Sequence, residues 1–124
     1  MNAKDIGVKV TSPIVNIAAA GVANAATLFT IPALAGVLVG AKSAIIKKVI
    51  VDDNGTGGTQ IHIGNGIGGT FVALLPGLDI LSGLTNIYGE ADIPQVESFA
   101  NITGFVDGVG GSSVDVQLEL LVRG

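Results

Sequence analysis

Short runs of branched and aromatic residues, cut by glycine, proline and asparagine, limit what the second half of this chain can become. From Ala44 onward no stretch carries a 3.6-residue apolar period long enough for a helix. Ala44–Val51 is a branched run that ends at Asp52-Asp53-Asn54-Gly55, a turn sequence. Thr59–Ile63 alternates polar and apolar and stops at Gly64-Asn65-Gly66. Thr70–Leu75 halts at Pro76-Gly77, and Asp79–Leu84 leads into Thr85–Gly89. Gln95–Val106 is a long alternating segment with a bend in its middle. The last strand is the clearest. Val114, Val116, Leu118, Leu120 and Val122 point one way, and Asp115, Gln117, Glu119 and Arg123 point the other.

The first third is harder to parse. Val10 to Ala41 is thirty-two residues without a charge, and length alone would admit a membrane helix, which needs about 20 apolar residues. Pro13 and Pro32 bracket the segment, Asn16, Asn24, Thr27 and Thr30 interrupt it, and much of its apolar content is Ala and Gly. The reading preferred here is two strands, Ile14–Ile17 and Thr27–Ile31, carrying the residue types that strands favour. Ala18–Ala26 between them is a short helical turn or a small-residue hairpin.

About eight short strands with turn signals every 8–12 residues predict an all-β fold, an antiparallel β-sandwich of jelly-roll type. The chain of 124 residues is one such domain, with residues 1–12 as an extended arm. Nineteen glycines supply turn positions, and no repeat of 20–50 residues points to a solenoid or propeller. Met1–Gly7 lacks the basic start and apolar core of a secretory signal, which predicts an intracellular product or one released by lysis.

The catalytic inventory is empty. Without cysteine there is no disulfide, thiolate site or cysteine nucleophile. A net charge of −4 leaves no electrostatic footprint for nucleic acid. Gly64-Asn65-Gly66-Ile67-Gly68-Gly69 matches a dinucleotide fingerprint, but Thr70–Leu75 after it is strand-like, where a helix N-terminus is required. That leaves a glycine-rich hairpin loop. Asp52–Gly57 loosely resembles a calcium loop, but the twelfth position is Ile63 instead of Glu, so a loop tip with two exposed carboxylates is expected. His62, between Ile61 and Ile63, faces outward and has no metal ligand at suitable spacing. Glu90, Asp92 and Glu97 are the acidic cluster, without the aromatics of a sugar cleft. No catalytic, cofactor or metal residue is assigned, and the protein is read as no enzyme.

Hydrophobic residues make up 48% of this small chain, more than a limited interior holds. The surplus lies on the surface, where contiguous apolar patches mark contacts. The uncharged Ile31–Gly40 is the prime candidate, with Leu34, Val37, Leu38 and Val39 as interface residues; a fully buried strand is the other reading of the same run. Thr27–Pro32 leading to Ile45–Asn54, with Glu90–Glu97 and the terminal alternating strand, resembles small all-β structural proteins of tailed phages and related viruses, of the head-decoration or minor capsid type. The resemblance spans residues 25–124 and transfers no site residue. It implies a subunit that forms homo-oligomers, often trimers, and docks on a capsid or tail protein within the virion. A host-encoded filament-forming or adhesive protein assembled by strand addition is the alternative, and a small-ligand-binding sandwich is the third.

Overall fold

The computed structural model describes residues 7–19, 21–31, 43–53, 58–108 and 113–124. In these, strands β1 (Val8–Thr11) and β2 (Val15–Ala18) precede a 3-10 turn at Val22–Asn24. Then come β3 (Ala26–Phe29), β4 (Ser43–Asp53) and β5 (Gly58–Asn65). A second 3-10 turn, Gly68–Thr70, leads to β6 (Val72–Ala73) and β7 (Leu78–Asp79). The chain finishes with β8 (Thr85–Tyr88), β9 (Glu97–Ser98), β10 (Ile102–Gly108) and β11 (Ser113–Arg123). Every pairing is antiparallel.

One sheet has β11 and β4 at its centre. β1 and β2 lie end to end along the free edge of β11, and β8 and β9 along that of β4. The other sheet runs β3, β10, β5, with β6 and β7 end to end on the last edge. Counted this way, each sheet has four strand positions. Ser12 bridges the gap between β1 and β2, where Pro13 has no N–H to give. Its backbone N donates to Leu118 O at 2.8 Å, and Leu118 N donates to its hydroxyl at 2.8 Å.

The inward faces share one core. The six-stranded sheet gives Ile17, Ile46, Val49, Val51, Val114, Val116, Leu118 and Leu120; the five-stranded sheet gives Leu28, Ile61, Ile63, Ile102 and Val106. All are buried. Gly104 lies at the interface of the layers, where an added Cβ would sit 3.0 Å from Leu28 and 3.6 Å from Ile17. Two other glycines have backbone reasons. A Cβ on Gly64 would fall 2.1 Å from Val72 O, the contact that lets β6 pair, and Gly66 has φ +83°, a region side chains avoid.

The expected antiparallel sandwich is the fold found. Among the described residues eleven strands stand where about eight were expected, because β6, β7 and β9 are two-residue pieces and β1 and β2 share one edge. Of the predicted runs, β4, β8 and β11 fall nearly in place, and Gln95–Val106 is broken into β9 and β10. Thr70–Leu75 forms strand only at Val72–Ala73, and β5 runs on into Gly64 and Asn65, which were expected to end it. The uncharged segment forms strands at Val15–Ala18 and Ala26–Phe29. No helix among the described residues is long and apolar enough to cross a membrane.

The fully buried Leu118 and its outward neighbour Gln117 give a direct test of this register. Leu118→Ala is expected to cost about 2–5 kcal/mol in urea denaturation. Gln117→Ala forfeits only its bond to Ser12 O, about 1 kcal/mol.

Candidate interaction surface

The outward face of the six-stranded sheet is organised in rows across the strands, because paired residues on one face stand side by side. The first row is Lys9, Leu121, Ile45 and Glu97, and the second is Thr11, Glu119 and Lys48. Between these rows β4 carries one extra residue, Lys47, at a β-bulge opposite Glu119 and Leu120. The third row is Gln117, Ile50 and Ile87, and the fourth is Asn16, Asp115, Asp52 and Thr85.

The basic side chains gather at one end of this face, whose first two rows also hold glutamate. All four Lys and Arg side chains among the described residues, Lys9, Lys47, Lys48 and Arg123, lie toward its first two rows. Lys48 pairs with Glu119 at 3.5 Å, and Lys47 lies 3.7 Å from Glu90 and donates to Gln95 Oε1 at 2.8 Å. Lys47, Lys48, Glu90 and Glu119 line an open groove of about 580 Å³ that also takes in Lys9, Thr11 and Leu121. In the fourth row two aspartates stand directly opposite each other, an arrangement that repels. Asp115 accepts from Asn16 Nδ2 at 3.0 Å, and Thr85 Oγ1 lies 3.5 Å from Asp52 Oδ1. Between the charged rows is an apolar strip. Ile87 is 59% exposed, and Ile14, 65% exposed, joins Ile50 at a shallow depression bordered by Asp52, Asp115 and Gln117.

The opposite outer face carries an aromatic cluster. His62 stacks on Phe105 with ring centroids 4.6 Å apart, and Phe71 meets Phe105 edge-on at 4.8 Å. His62 Nε2 lies 2.6 Å from Asp107 Oδ2. The outward direction of His62 was legible from its neighbours. Asp107, forty-five residues away in sequence, was not. The cluster has the marks of a satisfied surface histidine and contains no nucleophile.

The remaining acidic residues divide into separate duties. Asp52 and Asp53 were expected together at an exposed loop tip, and this is corrected. Both lie in β4, and adjacent strand residues face opposite ways, so Asp52 is exposed and Asp53 is buried. Asp53 Oδ2 accepts from Gly83 N at 3.1 Å and its backbone N donates to Leu84 O, fixing the β7–β8 turn. Asp92 accepts from Gly89 N, and Glu97 accepts from Ser43 Oγ at 2.6 Å. The glycine-rich motif is strand through Asn65 and then a 3-10 turn, with Thr70 Oγ1 donating to Ile67 O. No group of three or more metal-ligating side chains occurs among the described residues.

Leu34, Val37, Leu38 and Val39 lie outside the described residues. Ile31, at the head of that run, is buried, and its N–H donates to Asn101 Oδ1 at 3.3 Å. Sequence reasoning missed apolar side chains that the fold leaves in water, among them Ile14, Ile87, Val72, Leu81, Leu84 and, at 75% exposure, Phe99. Ile50 and Ile87 are outward by parity, a signal available only once the register is known.

No protein-family model matches the chain, and no curated protein matches it. Among solved structures it is similar to a chain of the cyanophage Pam1 capsid asymmetric unit, 17% identical over 94% of this chain and 86% of that one, with a TM-score of 0.48. It is also similar to a chain of a virus-like particle of the giant freshwater prawn Macrobrachium rosenbergii extra small virus. There the identity is 12% over 94% of this chain and 80% of that one, with a TM-score of 0.34. Both are proteins of virus particles.

Tyr88 gives a probe of the contact between β8 and β7. Its hydroxyl donates to Asp79 O, and burial first, then Asp79 and Asp92, holds its pKa above the ordinary 10.0. A pKa raised on folding stabilises the fold below the unfolded value, and that contribution is lost as pH rises through the folded value. The chain has one Tyr and no Trp, so near-ultraviolet absorbance follows this group alone. The expected titration midpoint lies above 10.0 in the native protein and falls back toward it in denaturant.

Proposed function

We propose that this protein is a non-enzymatic structural subunit that associates with further copies of itself and packs into a larger assembly, a virion shell or its decoration. We read its strand order, with the first and last positions adjacent in one sheet and each sheet drawing strands from both halves of the chain, as a jelly roll. That architecture serves viral capsid, lectin and cupin domains alike, so the fold alone does not choose among them.

The observation that carries this reading is the isoleucine strip on the outer sheet face, where Ile50 pairs with Ile87 across strands and Ile14, just before β2, meets Ile50 at the shallow depression. Isolated apolar side chains on a surface need no explanation, but a strip aligned across strands costs solubility and marks a contact. Covering it contributes about 25 cal/mol per Å² of apolar surface before association costs are subtracted. The homo-oligomer proposed here, a trimer, docks on a capsid or tail protein. Leu34, Val37, Leu38 and Val39 are proposed as further contact residues.

Sedimentation velocity over a concentration series tests this. A closed oligomer is the expected outcome. A monomer at every concentration sinks the proposal, and open polymers favour the strand-addition filament in its place. Val37→Asp is expected to remove the largest species while circular dichroism keeps its β-sheet signal, since a charge desolvated without a partner is costly.

A further inference from the structure

We propose that Phe99 of one copy seats in the depression between Ile14 and Ile50 of the next, so that copies join head to tail through two different patches. This rests on the reading of the protein as a self-associating subunit and names the surfaces that meet. Phe99 follows β9, whose Ser98 pairs with Ala44, and Arg123 pairs with Ser43 on the other side of β4. Both residues therefore stand at the end of the sheet where β4 starts. Ile50 lies seven residues further along β4, about 20 Å away. No side chain reaches that far, so no copy fills its own depression.

Phe99 is built as a knob. It is the most exposed of the large apolar side chains among the described residues. The backbone on both sides of it is fixed all the same. Asn65 Nδ2 donates to Ser98 Oγ and to Asn101 O, each at 2.9 Å, and Ser98 Oγ donates to Ala100 O at 2.8 Å. A ring held out on a pinned turn loses little freedom on contact, which lowers the cost of association. The depression matches it in size. It measures about 180 Å³, and an apolar cavity of about 150 Å³ takes benzene.

Charge selects a second copy as the occupant. Asp52 and Asp115 stand opposite each other at the rim, so the depression suits an aromatic ring with a cation beside it. Lys47 and Lys48 are already held by Glu90 and Glu119, whereas Arg123 is exposed and pairs with no carboxylate among the described residues. Phe99 and Arg123 flank Ser43, about 10 Å apart, a span that an arginine side chain covers. Glu97, the acid nearest Phe99 in sequence, lies in the row behind, with its carboxylate taken by Ser43 Oγ at 2.6 Å. Because knob and depression are different surfaces, the contact is heterologous. It repeats from copy to copy and closes into a ring where the rotation allows, as a trimer requires.

The test is a pair of blocked variants read by sedimentation velocity, with circular dichroism on each. Phe99→Asp removes the knob and keeps the depression, and Ile14→Asp spoils the depression and keeps the knob. Both side chains are mostly exposed, so neither change disturbs the core. Each variant alone is expected to self-associate about tenfold or more weakly than the native protein. Mixed in equal amounts, the two are expected to form a dimer and nothing larger, since one intact knob meets one intact depression and every further step is blocked. Native self-association that neither variant weakens overturns this contact while leaving the oligomeric subunit standing, and a native monomer overturns both. Weakening by only one of the variants gives the knob or the depression a different partner and overturns their pairing, as do two weakened variants that form no mixed dimer. Arg123→Glu sets acid against the two aspartates and is expected to weaken association as well; association left unchanged overturns the charge match that selects the occupant.

Discussion

The pairing of β4 with β11 is the constraint on which the rest of the structure depends. Two eleven-residue strands lie antiparallel over almost their whole length, from Ser43 opposite Arg123 to Asp53 opposite Val114. Neither has a free edge, since β1 and β2 cover one side of the pair and β8 and β9 the other. The short strands β8 and β9 have no core of their own, and their places are dictated by the edge they extend. The partners are sixty to eighty residues apart in sequence, so the loops between them must close before the pairing forms. β10 and β5, whose inward Val106, Ile61 and Ile63 meet the central pair's core, form the second layer.

Where that arrangement was legible in the sequence, the reason is parity. β11 is half buried, its five inward residues alternate without interruption, and any one-residue slip would put all of them in water. The same logic placed His62 outward. Parity fails where strands are too short to show it. β6, β7 and β9 are two residues each and exist only because a neighbouring edge offers hydrogen bonds. The exposed apolar strip was hidden for a related reason. Ile50 looks like core in a run of branched residues, and only its pairing with Gln117 and Ile87 shows which way it faces.

Buried polar groups complete the turns that hydrophobic pattern cannot specify. Asn86 accepts from Leu81 N and donates to Leu81 O and Leu84 O, so one side chain satisfies a turn that would otherwise strand its backbone beside the core. Asp53 meets the same turn from β4, and Thr103 Oγ1 donates to Gly66 O at 2.6 Å at the other end of the sandwich. No buried side-chain polar atom among the described residues lacks a partner. These residues explain why composition misled. Asp52-Asp53 is a turn signal by residue type, yet the second aspartate is the anchor of a different turn thirty residues on.

The bulge in β4 links the core to the surface proposed to work. Upstream, Ala44 and Ile46 face inward; downstream, Val49 and Val51 do, and an unbroken strand cannot bury both pairs, since the steps between them are odd in number. Inserting Lys47 resets the parity at one point. Without it, either Ile46 or the pair Val49 and Val51 would face water, at about 1.5–3 kcal/mol for each side chain exposed. The residue spent on this correction has to tolerate solvent, because a bulge leaves it unpaired and half exposed. A lysine meets that requirement and its neighbour Lys48 already faces outward, so the packing problem of the core is solved by a second positive charge on the outer face. The asymmetry of that face, with its lysine–glutamate pairs above the isoleucines and its aspartates below, is therefore tied to the hydrophobic register beneath. A change that restored plain alternation in β4 would erase both together.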